Sequence, residues 1–472
     1  MREIKADICV IGGGSGGLSV AAGAAQLGAE TVLVERAEMG GDCLNVGCVP
    51  SKSLLAAAHA AHAAANGEAM GVRPIGAPHI DASAVRAHVR DVIAGIAPHD
   101  SQERFEALGV TVLRSHARFT DPDTVEAGGV RIRARRFVVA TGSRPAIPPI
   151  SGLAETGYLT NETIWDLTEL PRHLLVIGGG PIGCELAQAH RRLGSDVTLL
   201  EAQTLLPRDD RELVAIVRTA LLADGTAIHE QAKVTAVARS GRGIRVQFET
   251  DTGHQAVDGS HLLVATGRRP NVEDLDLDKA AIAHDRTGIT VDRRLRTSNR
   301  RVFAVGDVTG GPQFTHVAGH HASVVVQNAL FRLPAKVAVV LPAVTYTDPE
   351  LASVGTPPEE AADAEGVEFV RVPFGDNDRA RAERRTEGLL KLAADRKGRI
   401  KGVAIAGAHA GELLAPWIVM MSTNTRLRAL TSAVMPYPTL AEVNKKAASA
   451  FYAPRLFSPG VKRLVGWLAK LG

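Results

Sequence analysis

One local plan is written twice in this chain, and it decides the fold class. Ala6-Asp7-Ile8-Cys9-Val10-Ile11 reads as a buried strand that runs into Gly12-x-Gly14-x-x-Gly17 and an alanine-rich helix; the strand Thr31-Val32-Leu33-Val34 follows and ends at Glu35. Leu174-Leu175-Val176-Ile177 opens the second copy, with Gly178-x-Gly180-x-x-Gly183, a helix, Val197-Thr198-Leu199-Leu200 and Glu201. The offset from first glycine to acid is the same in both. Each copy is followed by a strand ending in Ala-Thr-Gly, at Ala140-Thr141-Gly142 and at Ala265-Thr266-Gly267. Such glycines let backbone approach a pyrophosphate at a helix N-terminus, and the terminal acid can bind ribose hydroxyls. The order predicts an α/β chain with two dinucleotide sites.

Cys43 and Cys48 lie shortly after the first glycine loop, in Gly40-Gly41-Asp42-Cys43-Leu44-Asn45-Val46-Gly47-Cys48-Val49-Pro50-Ser51-Lys52. Five residues of regular helix span about 7.5 Å, and a disulfide needs Cα atoms within roughly 7 Å. A bridge therefore requires a distorted first turn, for which Gly47 supplies backbone freedom and Pro50 an interruption of helical bonding. Closed in a short ring, the pair would be readily reduced. Two buried free thiols are the alternative reading. Two nucleotide sites beside a dithiol suggest a flavin and a nicotinamide that move a hydride and then thiol electrons.

At 472 residues the chain has room for two to four domains. Its net charge of +3, without a long basic run, argues against nucleic acid as a partner. Four cysteines in so long a chain are not a secreted disulfide framework. Arg2-Glu3-Ile4-Lys5 runs straight into a strand too short for a signal segment, and no long apolar stretch suits a membrane span, so a cytoplasmic location is expected.

With these motifs the chain resembles the class I pyridine nucleotide–disulfide oxidoreductases, the family of dihydrolipoamide dehydrogenase, glutathione reductase and mercuric reductase. The likeness covers nearly the whole length. It rests on Cys-x4-Cys-Val-Pro-Ser-Lys, both glycine fingerprints, both Ala-Thr-Gly segments, Val302-Phe303-Ala304-Val305-Gly306-Asp307, and the stretch from Thr345 to Gly355, similar to the start of the family's dimerisation domain. The resemblance implies two Rossmann-like domains, for FAD (1–150 and 271–335) and NAD(P) (151–270), and a C-terminal α+β dimerisation domain (336–472).

It also implies roles. Gly12, Gly14, Gly17 and Glu35, with Arg36, would hold the adenosine end of FAD. Gly41, Asp42, Lys52, Thr141 and Gly142 would line the flavin side, and Gly306 and Asp307 the ribityl chain. The backbones of Ala117 and Thr315 would touch FAD. Gly178, Gly180, Gly183, Glu201, Val234, Ala265, Thr266, Gly267 and Arg268 would hold NAD(H). Glu201 favours NADH by repelling a 2′-phosphate, although Arg208 lies near it in sequence. Lys52 and Glu185 match an ion pair beside the flavin; Cys48 matches the flavin-facing thiol and Cys43 the interchange thiol.

The chain departs from the family near its C-terminus. Most members carry His-Pro there, offered with a glutamate to the other subunit's dithiol. Here Tyr437 stands at the histidine position, followed by Pro438, and Glu442 is present. A phenol with a pKa of about 10 is a poor base at neutral pH. Oxidation of a dithiol suffers most from that loss, so the expected activity is reduction of a disulfide, thiol-reactive or metal-ion acceptor by a homodimer. The alternatives are a dihydrolipoamide dehydrogenase with another base, an NADH-dependent flavin reductase of quinones or oxygen, and a non-catalytic docking subunit. Mercuric reductases also look to carry tyrosine here but add a C-terminal cysteine pair, whereas the last cysteine of this sequence is Cys184.

The remaining signals read as structural. Cys9 and Cys184 suit packing. His59 and His62 have no third ligand nearby and read as a solvated face, so no metal site is expected. His316, His320 and His321 read as local hydrogen-bonding residues. In the tail, Val461, Leu464, Val465, Leu468 and Leu471 keep helical spacing among Lys462, Arg463 and Lys470. Such a basic amphipathic helix packs on its own dimer or, alternatively, docks on a membrane surface or partner.

Overall fold

Arg2–Ile11 is the central strand of the first sheet. A computed structural model of the chain describes residues 2–73, 76 and 79–471. From Ile8 to Ile11 the strand's side chains alternate between two buried clusters, Cys9 and Ile11 with Val32, Val34 and Phe137, and Ile8 and Val10 with Leu18, Leu33 and Val138. Burial on both faces explains why these strands are continuously apolar instead of alternating with polar residues. Thr31–Glu35 and Val130–Val139 flank Arg2–Ile11 in parallel, Val110–Arg114 extends the sheet beyond Thr31–Glu35, and Val302–Ala304 pairs in parallel with Val130–Val139. Two antiparallel strands, Thr124–Ala127 and Ala117–Asp121, complete the far side.

The second copy of the plan builds a four-stranded parallel sheet in the order Ala227–His229, Asp196–Leu200, His173–Ile177, His261–Val264. An antiparallel ribbon of Lys233–Ser240, Gly243–Thr250 and Gly253–Gly259 accompanies it, sharing a core that includes Leu175, Val246 and Phe248. Both sheets lie in one compact unit, Met1–Thr204 with Thr226–Ala338.

The other unit is Leu205–Gly225 with Val339–Gly472. Its antiparallel sheet runs Pro342–Thr345, Glu350–Gly355, Ile400–Gly407, Leu389–Asp395, Val367–Pro373. The helices Ala410–Ser422 and Glu442–Leu456 pack on it, and the fully buried Trp417 donates from Nε1 to Asn444 Oδ1 at 2.8 Å. The helix Arg211–Ala223 falls in this unit, although its residues lie within the expected 151–270 module. It brings Asp210 and Glu212 to Lys391, whose fully buried ammonium lies 2.7, 2.8 and 2.6 Å from Asp210, Glu212 and Glu359. A buried cation is tolerated only when so compensated. Among the described residues, no helix is long and apolar enough to cross a membrane.

Candidate active site

The two glycine loops are built alike. Gly12 and Gly178 turn the chain at φ +109° and +111°, and a Cβ on either would strike a carbonyl, of Ala140 or Ala265. Side chains at Gly17 or Gly183 would run into the carbonyls of Gly12 or Gly178, so these positions hold helix against strand. The middle glycines differ: a Cβ on Gly180 meets nothing within 4 Å, and one on Gly14 only Gly41 Cα at 3.8 Å. Each is the N-cap of its helix, Ser15–Gln26 or Pro181–Arg192. This open approach to a helix N-terminus fits a pyrophosphate at both loops.

The acids do more than the sequence suggests. Glu35 accepts from Gly13 N at 2.5 Å and Ala37 N at 2.6 Å; Glu201 accepts from Gly179 N at 2.6 Å and Gln203 N at 2.8 Å. Each carboxylate locks its own glycine loop, and its further lone pairs can still accept from ribose hydroxyls. Arg36, next to Glu35, is exposed.

Gly40 and Gly41 lean on the first loop. Gly40 donates to Gly13 O at 2.9 Å, and a Cβ on Gly41 would lie 2.6 Å from Gly14 Cα. The short helix Gly41–Asn45 carries Cys43, Val46 and Gly47 break the helical path, and Cys48 begins Cys48–Ala65. That break is the distorted turn the spacing requires. Pro50 does not make it: it sits in the first turn of the second helix, where a missing N–H costs nothing. Trp165 donates to Val46 O at 3.0 Å and Asn161 Nδ2 to Asp42 Oδ1 at 3.4 Å, steadying the link.

Both cysteines are free thiols, Cys43 half-buried and Cys48 exposed. A hydrogen bond from Cys43 pulls the Cys48 thiol down to about 6, helped by Thr315, whose Oγ1 is 3.3 Å away, and by the charge of Lys52. Cys43 is pushed up, chiefly by the same bond and then by burial. These contacts favour the thiolate of the reduced pair at Cys48 over Cys43.

Helix Cys48–Ala65 packs against Pro181–Arg192, which sets Lys52 Nζ 2.7 Å from Glu185 Oε2. Glu185 is only 5% exposed, so it is no solvent-facing helix residue.

Arg268, expected with the nicotinamide set, is held among acids and a hydroxyl. Its guanidinium lies 2.9 Å from Asp42 Oδ1 and 2.8 Å from Ser143 Oγ, and Ser143 donates to Asp307 Oδ2 at 2.6 Å. Burial raises the Asp307 carboxyl, with Ser143 and Arg268 opposing. Thr141 and Gly142 are tied to Asn271 by bonds of 2.8 to 3.0 Å, and Thr266 donates to Ala146 O at 2.8 Å. Gly267 takes φ +131° and Ala265 N donates to Ile177 O at 2.8 Å. Gly306 N donates to His321 Nδ1 at 3.2 Å; burial holds that imidazole at about 4, neutral at pH 7. Ala117 and Val234 lie in strand ladders.

Tyr437 and Glu442 belong to the other unit. Tyr437 is 70% exposed, and its hydroxyl donates to Asp378 Oδ2 at 3.1 Å, which raises the phenol further above its ordinary range. Glu442 opens helix Glu442–Leu456 and accepts from Thr439 N at 3.5 Å. A cavity of about 340 Å³ lined by Arg379, His409 and Pro438 lies in the same unit. Among the described residues, the cluster Asp210, Glu212 and Glu359 has metal-ligand spacing, but the Lys391 ammonium sits among its oxygens.

Sequence reasoning overlooked Ser143, Asn161, Trp165 and Asp378. Ser143 had a signal, standing directly after Ala-Thr-Gly; the others act through contacts remote in sequence and had none.

Known proteins match along the whole chain. The family model described as pyridine nucleotide-disulphide oxidoreductase covers residues 6–322, and that of its dimerisation domain residues 341–448. A mercuric reductase of Lysinibacillus sphaericus is 34% identical over 96% of this chain and 83% of that protein. A dihydrolipoyl dehydrogenase of Thermus scotoductus is 36% identical over 94% and 97%. Among solved structures, the Cu(II) complex of RclA, an HOCl-induced flavoprotein disulfide reductase from Escherichia coli, aligns with a TM-score of 0.84 at 27% identity, over 94% of this chain and 99% of that one.

Proposed function

The chain belongs to the pyridine nucleotide–disulphide oxidoreductase family, and on that footing we propose that it is an NADH-dependent reductase. Its Cys43–Cys48 pair delivers electrons to a disulfide, thiol-reactive or metal-ion acceptor. The observation that carries this reading is the split pair itself, Cys48 pulled down to about 6 and Cys43 pushed up beside the Lys52–Glu185 ion pair. FAD at the first loop supplies hydride acceptance from the nicotinamide and electron delivery to the cysteines. Lys52 would favour negative charge beside the reduced flavin, with Glu185 holding the ammonium in place.

In the reduced pair, Cys48 stays a thiolate. The Cys43 sulfur attacks a disulfide acceptor: a bond forms to one acceptor sulfur, the acceptor S–S bond breaks, and the Cys43 proton leaves on the other sulfur as a thiol. Cys48 then attacks the Cys43 sulfur, closing the internal bridge and releasing the remaining acceptor half as a thiolate. Tyr437, exposed and raised by Asp378, is a poor base, which favours reduction of an acceptor over oxidation of a dithiol. The Escherichia coli neighbour was solved with Cu(II), which supports a thiol-binding metal ion as one acceptor class. Glu201 supports NADH over NADPH. The reducing cytoplasm suits a dithiol that must be re-reduced each cycle, and the dimerisation domain supports a homodimer.

The test is NADH oxidation with a small aromatic disulfide and with Cu(II). Activity with either that is lost in both Cys43→Ser and Cys48→Ser supports the reading. Turnover surviving both substitutions would instead make the protein a flavin reductase.

A further inference from the structure

Helix Pro459–Leu468 lies beyond the residues matched by the dimerisation-domain model, 341–448. Ser458 caps it, and Pro459 occupies its first turn, so it begins as a designed helix and not as a frayed end. At about 100° per residue, Val461, Leu464, Val465, Trp467 and Leu468 share one broad arc and Lys462 and Arg463 the opposite one; Lys470 and Leu471 follow the helix's end. Neither arc is covered: Leu464, Val465, Trp467 and Leu468 are 53, 58, 58 and 48% exposed, and the three cations are exposed as well. Leu456 and Phe457, just before the helix, are also exposed.

Charge identifies the occupant. After Glu442 the chain carries Lys445, Lys446, Arg455, Lys462, Arg463 and Lys470 and no acid. The whole chain is +3, so everything before that segment is net −3. Arg455 is paired with Glu368, and Lys445 and Lys446 bond the Ala433 and Asp376 carbonyls. Lys462, Arg463 and Lys470 make no ion pair among the described residues. Pairing with the same helix of a second copy would set three cations against three. An anionic lipid surface takes both arcs at once, the apolar one into the acyl boundary and the basic one among the headgroups, with Trp467 at the edge.

We propose that Pro459–Leu468 docks the protein on an anionic membrane surface. One short helix binds weakly and reversibly, and a homodimer offers two, so avidity carries the attachment.

The full-length holoprotein is sedimented with phosphatidylcholine vesicles and with vesicles also containing phosphatidylglycerol. Binding to the anionic vesicles is expected to be tighter by about tenfold to a hundredfold, roughly what three cations near the surface supply, and to weaken in high salt. Leu464→Gln with Leu468→Gln should abolish binding to both, and Lys462→Glu with Arg463→Glu should abolish the anionic preference, with NADH turnover unchanged in all. Equal binding to both vesicle types, or undiminished binding by the leucine variant, overturns the proposal. So does a wild type that ignores vesicles while the leucine variant loses its dimer in sedimentation, which would assign the apolar arc to a second copy.

Discussion

Arg268 Nη2 lies 2.9 Å from Asp42 Oδ1, so the residue that follows the second Ala-Thr-Gly segment reaches the residue next to Cys43. The same guanidinium binds Ser143 and, through it, approaches Asp307. One cation therefore offsets two carboxylates.

Replacing Arg268 with Met leaves Asp42 and Asp307 without that cation. FAD should dissociate more readily, with Kd rising about tenfold to a hundredfold for the loss of a charge-assisted contact. NADH affinity should change by less, since the contacts Arg268 makes here are to Asp42, Ser143 and Asp307. Released-flavin fluorescence and NADH titration measure both; a selective loss of NADH binding would instead place Arg268 in the nicotinamide set.

Much of this was legible in the sequence because the repeated plan is local. Gly12, Gly14, Gly17 and Glu35 fall within one strand–helix–strand unit, so spacing alone specifies their geometry, and the same holds from Gly178 to Glu201. The break between the two cysteines is legible too, at Gly47; Val46 shares it, and Pro50 sits in the first turn of the following helix without making it. What stayed hidden depends on packing between distant segments. Arg268 reads as part of a nucleotide motif, and only the tertiary fold turns it toward Asp42. Nothing in its local sequence marks Lys391 as buried; Asp210, Glu212 and Glu359, distant in sequence, close around it.

Lys52→Met and Glu185→Gln test the ion pair asymmetrically. Losing Lys52 removes the cation 2.7 Å from a carboxylate that is almost fully buried, whereas losing the Glu185 charge leaves an ammonium that is partly exposed. Urea unfolding should show Lys52→Met costing about 1–3 kcal/mol, discounted from the fully buried case because Lys52 meets solvent. Glu185→Gln should cost less than about 1 kcal/mol. Equal costs would contradict this asymmetry.

The thiolate should titrate near neutrality. A lowered pKa means that the charged form of Cys48 is present above about pH 6 and is lost by protonation below it. Thiolate absorbance of the reduced protein should rise with a midpoint near 6, the second proton leaving far higher. Cys43→Ala and Thr315→Val should each move the first midpoint upward, because both remove hydrogen bonds to the thiolate. A single step at the ordinary thiol value would contradict the split pair.

Variants of Tyr437 test the proposed direction of the reaction. Tyr437→Phe breaks the bond to Asp378 and should leave reductase turnover within about threefold of wild type, since a raised phenol gives little base catalysis. Tyr437→His restores a group that titrates near neutrality and should raise NAD⁺-dependent dihydrolipoamide oxidation about tenfold or more. No gain with His would mean that the missing base is not what sets the direction.

The central claim is that Cys43 and Cys48 form a working relay between a flavin and an acceptor. Anaerobic addition of NADH to the flavin-loaded protein, followed by absorbance, tests it most directly. A long-wavelength band that is present in wild type and absent in Cys48→Ser is the result this account predicts, because the Cys48 thiolate would lie against the flavin. Flavin that bleaches in both proteins without that band would show that the cysteines stand outside the electron path.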